Sequence, residues 1–379
     1  MFLNKLFAIL TYHRVINYGG ILQTYALQKT IQNFGVNCVI LDYRNPRLEK
    51  LHRKRTLKEC KNIADYIRYF FLNRNYNKKF DKFRIFSEKY LTMSKPYFNN
   101  TELLKDEHEF DKFIVGSDQV WNYKINDMDT TYLLSFVKDE YKKLTYAASF
   151  GVTSIPDNSK DIYCKFLNDF ENILVREKQG ADLIKQLVNK DAKIVLDPTL
   201  LVTKEEWSYL CKEQNSMQRK YILVYAFGGS SVLMDLAKNI SLKTGYRIVR
   251  IEFGHKLSIG IKYIKSAGPE EFLELIKNAE YVITNSFHGT AFSINFNKQF
   301  SVEMLSDKSG VNSRLEDILD IFDLKDRVIT TSQPNIIENK INYEKVNIIL
   351  ERERLNSLAL LKSAINSDLT KENVTSEIK

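Results

Sequence analysis

The stretch from Tyr281 to Phe296 narrows the fold of this chain more than any other part of the sequence. Tyr281–Thr284 has the composition of a short buried strand, and the residues from Thr290 onward have that of an apolar helix. Asn285–Gly289 is therefore predicted to form the turn between them. In an open parallel sheet, such a crossing lies at the carboxyl ends of the strands, where ligands bind. We expect an α/β sheet with a ligand site at this edge.

Features of the predicted turn favour an anionic ligand and proton transfer. A helix that begins here directs free N–H groups and the positive end of its dipole towards the ligand. Gly289 would let a ligand approach the backbone closely, and His288 adds an acid or base at the same point. A lone histidine is more often a core residue, but the strand end, the glycine and the helix start favour a functional His288. Asn285 and Ser286 have an equally good interpretation as helix caps.

Alternating strands and helices predict two domains. One βαβ unit is predicted at the start of the chain, with a strand at Lys5–Thr11, a helix at Ile21–Phe34 and a strand at Cys38–Leu41. A second set of strands and helices begins near Tyr221. A length of 379 residues also favours two domains. The predicted fold class is α/β, with two doubly wound (Rossmann-like) domains facing across a cleft. We place an N-terminal α/β domain at 1–210 with a basic helical insertion at about 44–100, a C-terminal α/β domain at 219–335, and a C-terminal helix with a frayed tail at 336–379.

Composition favours a cytoplasmic protein. No apolar run reaches the ~18 residues of a membrane span, and the apolar stretch Leu6–Leu10 is too short for a signal peptide. The four cysteines are widely spaced, which argues against disulfides. The five histidines are scattered, without the spacing of metal ligands. We therefore expect neither a metal nor a cofactor.

The net charge of +9 is concentrated in one segment, because sixteen basic and only five acidic residues lie between Arg44 and Lys95. Three interpretations stay open. The segment can be a solvated helical face whose aromatic residues, such as Tyr66, Phe70 and Phe83, form its core side. It can also dock on an anionic membrane. Nucleic acid is the third option, but no recognition module is visible and we expect no nucleic-acid partner.

Polar residues at other predicted strand ends are further candidates, each with a plainer alternative. Asp118 can cap a helix or activate a sugar hydroxyl as a base. Arg176 follows an apolar strand and can hold a carboxylate or phosphate with its two-pronged guanidinium, or simply pair with Glu177. Arg314 is a second arginine of this kind. We interpret Asp197 with the following Pro198 as a structural turn.

A glycine-rich turn precedes the first predicted helix. It lacks the glycine spacing of a dinucleotide loop or a P-loop, so a simple tight turn is the plainer interpretation. It nevertheless places glycines and a positive helix end at the first crossing of the N-terminal domain. The candidate binding residues in and after this turn are Asn17, Gly19, Gly20 and Gln23.

Six blocks of sequence together resemble the polysaccharide pyruvyl transferase family. In chain order they are Asn17–Leu27, Val115–Asn122, Ala147–Gly151, Val175–Glu177, Leu196–Leu201 and Thr284–Ser293. The resemblance covers roughly Lys5 to Arg327 and implies a two-domain fold of the GT-B glycosyltransferase type. It also implies phosphoenolpyruvate as donor, a sugar of a bacterial surface glycan or its lipid-linked precursor as acceptor, and a pyruvate ketal as product.

The resemblance also implies roles for particular residues. By motif position, His288 and Arg176 correspond to the histidine and arginine that the family associates with donor binding and catalysis. Many members have Arg-Leu-His-Gly where this chain has Ser286–Gly289, so the resemblance leaves an anion-binding role to another basic residue, for which Arg314 is the candidate.

A mechanism consistent with these residues uses two anion sites and two proton carriers. Arg176 and the helix start at Gly289–Thr290 would hold the carboxylate and phosphate, with Ser286 beside them. His288 would act as the acid and Asp118 as the base towards the acceptor. Two other functions stay open: a glycosyltransferase that uses a nucleotide sugar on the same frame, and a non-catalytic glycan-binding relative.

Overall fold

The computed structural model describes residues 5–211, 219–228, 231–251, 258–305, 312–330 and 337–366, and no side chain at 68, 71 or 72. Within these ranges the first domain has a five-stranded parallel sheet in the order β3-β2-β1-β4-β5. Its strands are β1 (Leu6–Leu10), β2 (Asn37–Tyr43), β3 (Met93–Tyr97), β4 (Lys112–Val115) and β5 (Lys143–Thr145). Two short parallel strands, β6 (Leu174–Val175) and β7 (Lys193–Ile194), continue the sheet through bridges at Ala148.

The second domain repeats the same strand order. Its sheet is also parallel and five-stranded, in the order β10-β9-β8-β11-β12. The strands are β8 (Tyr221–Tyr225), β9 (Arg247–Ile251), β10 (Ile261–Ile264), β11 (Tyr281–Thr284) and β12 (Gln299–Val302). The predicted α/β class, with two doubly wound domains, is confirmed.

Helices connect the strands of both sheets. In the first domain they are α1 (Tyr18–Asn33), α2 (Pro46–His52), α3 (Ile63–Arg68), α4 (Arg74–Tyr90), α5 (Asn100–Lys105), α6 (Tyr123–Asn126), α7 (Asp157–Leu167), α8 (Lys178–Val188), α9 (Pro198–Leu201) and α10 (Lys204–Leu210). The remaining helices are α11 (Ser231–Thr244), α12 (Pro269–Lys277), α13 (Phe287–Asn295), α14 (Asn312–Ile321) and α15 (Tyr343–Asn366). A π-helical segment, Tyr69–Asn73, joins α3 to α4. The predicted frayed tail lies mostly outside the described residues.

Two helices begin earlier than predicted, because a side chain caps each of them. The Asn17 side chain accepts a hydrogen bond from the Gly20 amide, so α1 begins at Tyr18 and not at Ile21. The Ser286 hydroxyl caps Gly289 in the same way, so α13 begins at Phe287 and not at Thr290. The predicted turns are therefore first helical turns.

The space that a side chain at Gly289 would occupy is filled by neighbouring protein atoms and not by a ligand. A Cβ atom at this position would lie 2.4 Å from Thr284 Oγ1 and 2.9 Å from a ring carbon of Tyr225. The expectation that Gly289 admits a ligand to the backbone was wrong, because strand residues already occupy that space. The glycine lets α13 pack closely on its own sheet.

The two domains share an apolar interface. One buried cluster contains residues of both sheets. At its centre the Tyr18 ring stacks on Phe272 of α12, with centroids 4.3 Å apart, and the Tyr18 hydroxyl donates to the Ala267 carbonyl. Helix α15 returns to the first domain, where Arg354 donates to the Leu200 carbonyl. Buried contacts of this kind therefore join the two domains on either side of the cleft.

The basic insertion contributes to this interface through α4. Lys82 contacts both carboxylate oxygens of Glu271 in α12 at 2.6 Å, and Phe83 and Phe86 are buried. The interpretation of the insertion's aromatic residues as its core side holds for Phe83. It fails for Tyr66 and Phe70, which are 46% and 59% exposed. Within the described ranges, every helix is too short or too polar to cross a bilayer.

Candidate active site

A cavity of about 270 Å³ lies in the cleft between the two domains. Four strands supply most of its lining, because the residues that follow β1, β4, β8 and β11 meet there. In each domain these are neighbouring strands at which the strand order reverses. Ligands of open α/β sheets bind at such points. The lining residues are Asn17, Asp118, Gln119, Phe227, Asn285, Ser286, Phe287, His288, Leu305, Arg314 and Leu315.

The N-termini of two helices from different domains border this cavity. Asn17 caps α1 and Ser286 caps α13, and both residues line the cavity. Each helix start carries backbone N–H groups and a partial positive charge. The cavity therefore favours a small anion.

His288 is confined in the first turn of α13. Its side chain is 9% exposed, and its Nε2 lies 3.7 Å from Asp197 Oδ2. On the other side the ring lies against α1, since a Cβ atom at Gly19 would come within 1.9 Å of His288 Nδ1. Nε2 is buried and has no hydrogen-bond partner among the described residues. A buried ring nitrogen of this kind at a cavity wall is suited to proton transfer with a bound ligand.

Behind His288, Asp197 connects several groups of the first domain. Its Oδ1 caps α9 by accepting from Thr199, and its Oδ2 accepts from Ser117 Oγ at 3.1 Å and from Arg176 Nη1 at 2.8 Å. The predicted turn at Asp197 is thus present, but the same carboxylate also faces His288. Asp197 is the functional candidate that the sequence interpretation missed.

Arg176 lies behind the cavity wall and does not line it. Its side chain is 1% exposed, and besides Asp197 it contacts Asp118 at 3.3 Å and Glu177 at 3.6 Å. The Phe287 ring covers the guanidinium, with Cζ 4.6 Å from the ring centroid. This position supports a different role from the anion-binding fork of the sequence analysis: Arg176 holds Asp118 and Asp197 in place.

Burial and neighbouring charges shift the pKa values of Asp197, Arg176 and Glu177. Burial opposes the charge on Asp197, but the neighbouring His288 and Arg176 outweigh it and hold the Asp197 pKa below its usual range. Burial also opposes the charge on Arg176, but its three carboxylate neighbours raise its pKa. The Glu177 pKa is raised, chiefly by burial. Asp197 is therefore ionised where it faces the His288 ring.

Arg314 is the arginine that lines the cavity. It lies in α14, and its two terminal nitrogens are 3.1 and 3.2 Å from the amide end of the Gln119 side chain. Burial, followed by repulsion from Arg176, lowers the Arg314 pKa to about 10. Arg314 is therefore still charged at neutral pH and can form charge-assisted hydrogen bonds to an anion.

The predicted site residues divide into three groups. Five line the cavity: Asn17, Asp118, Ser286, His288 and Arg314. Gly19 and Arg176 lie directly behind lining residues. The other four are buried and serve the packing or hydrogen bonding of their own helices: Gly20, Gln23, Gly289 and Thr290.

Sequence interpretation assigned no site role to several lining residues. Gln119 and Phe287 adjoin predicted strand ends, so their position in sequence was a usable signal. Asn285 was weighed equally as a functional turn residue and as a helix cap, and Ser286 is the cap. Asn285 joins the segments that follow β8 and β11 of the second sheet, because it accepts a hydrogen bond from the Phe227 amide and donates one to the Phe227 carbonyl. Leu305 and Leu315 carry no such signal, since only the tertiary fold brings them to the cavity.

Comparison with known sequences gives one family match. A sequence model described as polysaccharide pyruvyl transferase matches residues 17–302. None of the curated proteins compared with the chain matches it.

Solved structures with a similar fold include two sugar-nucleotide epimerases and a polymerase. UDP-N-acetylglucosamine 2-epimerase from Rickettsia bellii is 9% identical, with 99% of each chain covered and a TM-score of 0.50. UDP-GlcNAc 2-epimerase from Neisseria meningitidis is 9% identical, with 96% of this chain and 100% of that chain covered and a TM-score of 0.49. The wall teichoic acid polymerase TagF is 11% identical, with 98% of this chain and 90% of that chain covered and a TM-score of 0.48. At such identities the likeness concerns the fold, which is GT-B-like as predicted.

Proposed function

Because this chain belongs to the polysaccharide pyruvyl transferase family, we propose that it transfers a pyruvyl group from phosphoenolpyruvate to a sugar of a bacterial surface polysaccharide or its lipid-linked precursor. The product is a pyruvate ketal that bridges two hydroxyls of the sugar. Family membership supports an enzyme that acts on polysaccharide. The donor and the ketal chemistry are our proposal.

One observation carries this proposal: a cavity with the start of a helix on either side contains both a charged arginine and a buried histidine nitrogen. Phosphoenolpyruvate is small and carries a carboxylate and a phosphate. Arg314 and the first turns of α1 and α13 would bind these two anions. The His288 ring lines the same cavity and would exchange a proton with the donor.

The reaction needs one proton delivered to carbon and one hydroxyl proton removed. Protonated His288 donates a proton to the methylene carbon of phosphoenolpyruvate, which becomes the methyl group and leaves the neighbouring carbon electron-poor. A sugar hydroxyl adds to that carbon while Asp118 accepts its proton. The bond to the phosphate oxygen then breaks, phosphate leaves, and a second hydroxyl closes the ketal. Of the two protons released by the hydroxyls, one restores the proton that His288 donated, and the other leaves with the phosphate.

Asp197 and Arg176 act through their neighbours in this scheme. Asp197 positions the His288 ring from 3.7 Å, and Arg176 fixes Asp197 and Asp118. We propose that the reaction takes place at the cytoplasmic face of the cell membrane, where lipid-linked glycans are accessible.

The test is incubation of the purified protein with phosphoenolpyruvate and candidate lipid-linked oligosaccharides. We expect phosphate release that depends on the glycan, and a glycan that gains one pyruvyl group by mass spectrometry. His288→Ala should lower the rate by about 10²–10⁴-fold at saturating donor. His108→Ala, at an exposed histidine, is the matched control and should keep the wild-type rate.

Two outcomes would contradict the proposal. Thermal stabilisation by a UDP- or GDP-sugar but not by phosphoenolpyruvate would favour a glycosyltransferase. Absence of glycan-dependent phosphate release with every lipid-linked acceptor of the host would favour a non-catalytic glycan-binding protein.

A further inference from the structure

Four large side chains project into solvent from one face of the basic insertion. They are Ile63, Tyr66, Ile67 and Phe70, with exposed fractions of 79%, 46%, 55% and 59%. The spacing i, i+3, i+4, i+7 places them along one side of α3 and the following π-helical segment. We name these four residues the apolar ridge. Isolated exposed apolar residues are normal, but a row of four marks an interaction surface.

We propose that the apolar ridge docks the protein on an anionic membrane surface. This deepens the proposed function, because it names the surface that brings the enzyme to a lipid-linked acceptor. Docking itself requires neither donor nor acceptor. It can therefore be tested without turnover.

The charges around the ridge complement an anionic surface. Of the sixteen basic residues between Arg44 and Lys95, eight pair with carboxylates: Arg44, Arg47, Arg53, Lys54, Lys82, Arg84, Lys89 and Lys95. In the segments flanking the ridge, Lys58, Lys61, Arg74 and Lys78 are exposed and form no ion pair within the described residues. Cations without an ion pair among the described residues thus flank the ridge on both sides in the chain, in addition to Lys50 and Arg55 earlier in the insertion.

The two acidic residues of this region are already engaged. Glu59 pairs with Arg53, and Asp65 accepts a hydrogen bond from the Lys61 amide near the start of α3. Apolar side chains with a cationic rim meet the two requirements of an interfacial helix: acyl chains to enter and anionic headgroups to contact.

The same charges argue against a second copy of this chain as the occupant. A symmetric contact through the ridge would bring two cationic rims together, and like charges repel. A nucleic acid would use the charges but would leave the aliphatic Ile63 and Ile67 without a partner. The membrane accounts for both features.

Flotation with lipid vesicles tests the proposal. We expect the full chain to float with vesicles of phosphatidylcholine and phosphatidylglycerol, far less with phosphatidylcholine alone, and less as salt increases. The triple variant Ile63→Ser/Ile67→Ser/Phe70→Ser should lower the bound fraction about tenfold or more. Replacing Lys58, Lys61, Arg74 and Lys78 with glutamine should remove the preference for anionic vesicles.

The matched control is Leu242→Ser/Ile348→Ser, at two side chains that are 86% and 71% exposed outside the insertion. It should bind vesicles like the wild type, and circular dichroism should show every variant folded. Equal binding of the wild type to neutral and anionic vesicles would overturn the proposal, as would full binding by the triple variant. A ridge-dependent dimer in sedimentation, without vesicle binding, would overturn it in favour of self-association. None of these results depends on whether phosphoenolpyruvate is the donor.

Discussion

Asn17, Tyr18 and Gly19 each make a different contact at the boundary between the domains. Asn17 caps α1 and lines the cavity, Tyr18 stacks on Phe272, and Gly19 lies against the ring of His288. The sequence pattern, for which a tight turn was the plainer interpretation and a binding turn the alternative, thus adjoins the proposed donor site, the catalytic candidate and the domain interface. Its meaning depends on the second domain, which is distant in sequence.

Gly19→Ala should displace His288 without unfolding the protein. The added Cβ atom would fall 1.9 Å from His288 Nδ1, and the end of a side chain can move more easily than a helix backbone. A misplacement of about 1 Å at a reacting group can lower the rate about a hundredfold, which we expect for pyruvyl transfer. Gly180→Ala is the control, because its nearest contact would be an ordinary 3.4 Å. Wild-type turnover by Gly19→Ala would show that the ring position is not critical.

Arg314→Gln tests whether the cavity arginine binds the donor. Loss of a charge-assisted hydrogen bond of about 1.5–3 kcal/mol should raise KM for phosphoenolpyruvate about 10- to 100-fold, with a smaller change in kcat. Arg314→Lys should recover only part of the affinity, because lysine lacks the planar fork. Arg352→Gln, at a side chain that is 68% exposed, should leave the donor KM unchanged. An unchanged KM with a lower kcat in Arg314→Gln would assign Arg314 another role.

At the scale of helices and strands, the sequence predicted central elements better than edge elements. The central strands β1, β4, β8 and β11 are apolar runs and were identified, whereas β3, β10 and β12 were missed. All three are edge strands. The edge strands β3 and β10 are also largely unburied, and they include Lys95, Pro96 and Lys262. Edge strands bury less surface, so their composition gives a weaker signal.

For the candidate site too, the residues that follow central strands were predictable and the contacts between the domains were not. Side chains at the ends of central strands were identified, because parallel strands end at the same edge of a sheet. The contact between Asp197 and His288 was not predictable, since it depends on how two separate domains meet. Helix starts were also misplaced, because the capping of α1 and α13 brings the glycines inside the first turn.

The packing of α4 against α1 should depend on pH through Lys79. This lysine is buried, with its Nζ 4.2 Å from the centroid of the Tyr18 ring, and burial lowers its pKa from 10.5 to about 7. Between pH 7 and 10.5 the unfolded chain therefore binds a proton that the folded chain has lost. The free energy of unfolding should rise with pH in this window, by up to about 1.4 kcal/mol per pH unit.

Urea unfolding of Lys79→Met measures this effect. The variant should be more stable than the wild type at pH 6.5, and the difference should shrink as the pH approaches 10. Lys78→Met removes an exposed lysine of the same helix, and its difference from the wild type should not follow this trend. A constant difference for Lys79→Met across the window would contradict the assignment to Lys79.

At the scale of the whole molecule, the cavity is as much a product of the interface as of either domain. Its lining comes from both domains, and one apolar cluster runs beneath it from the first sheet to the second. Ion pairs between α4 and α12 flank the same boundary. Donor binding and domain association should therefore be coupled, since a ligand that contacts both domains stabilises their closed arrangement.

Tyr18→Ala should break this coupling. The variant loses the stack on Phe272 and the hydrogen bond to Ala267, a change of about 3–5 kcal/mol for a buried aromatic residue. We expect the wild type to unfold in one calorimetric transition that phosphoenolpyruvate raises, and the variant to unfold in two that respond weakly to it. Phe110→Ala is the control, because Phe110 packs on Phe113 within the first domain. Its transition should move to lower temperature but stay single and keep its response to the donor. If Tyr18→Ala behaves in the same way as Phe110→Ala, the domains are not coupled through this contact, and the donor site does not depend on their association.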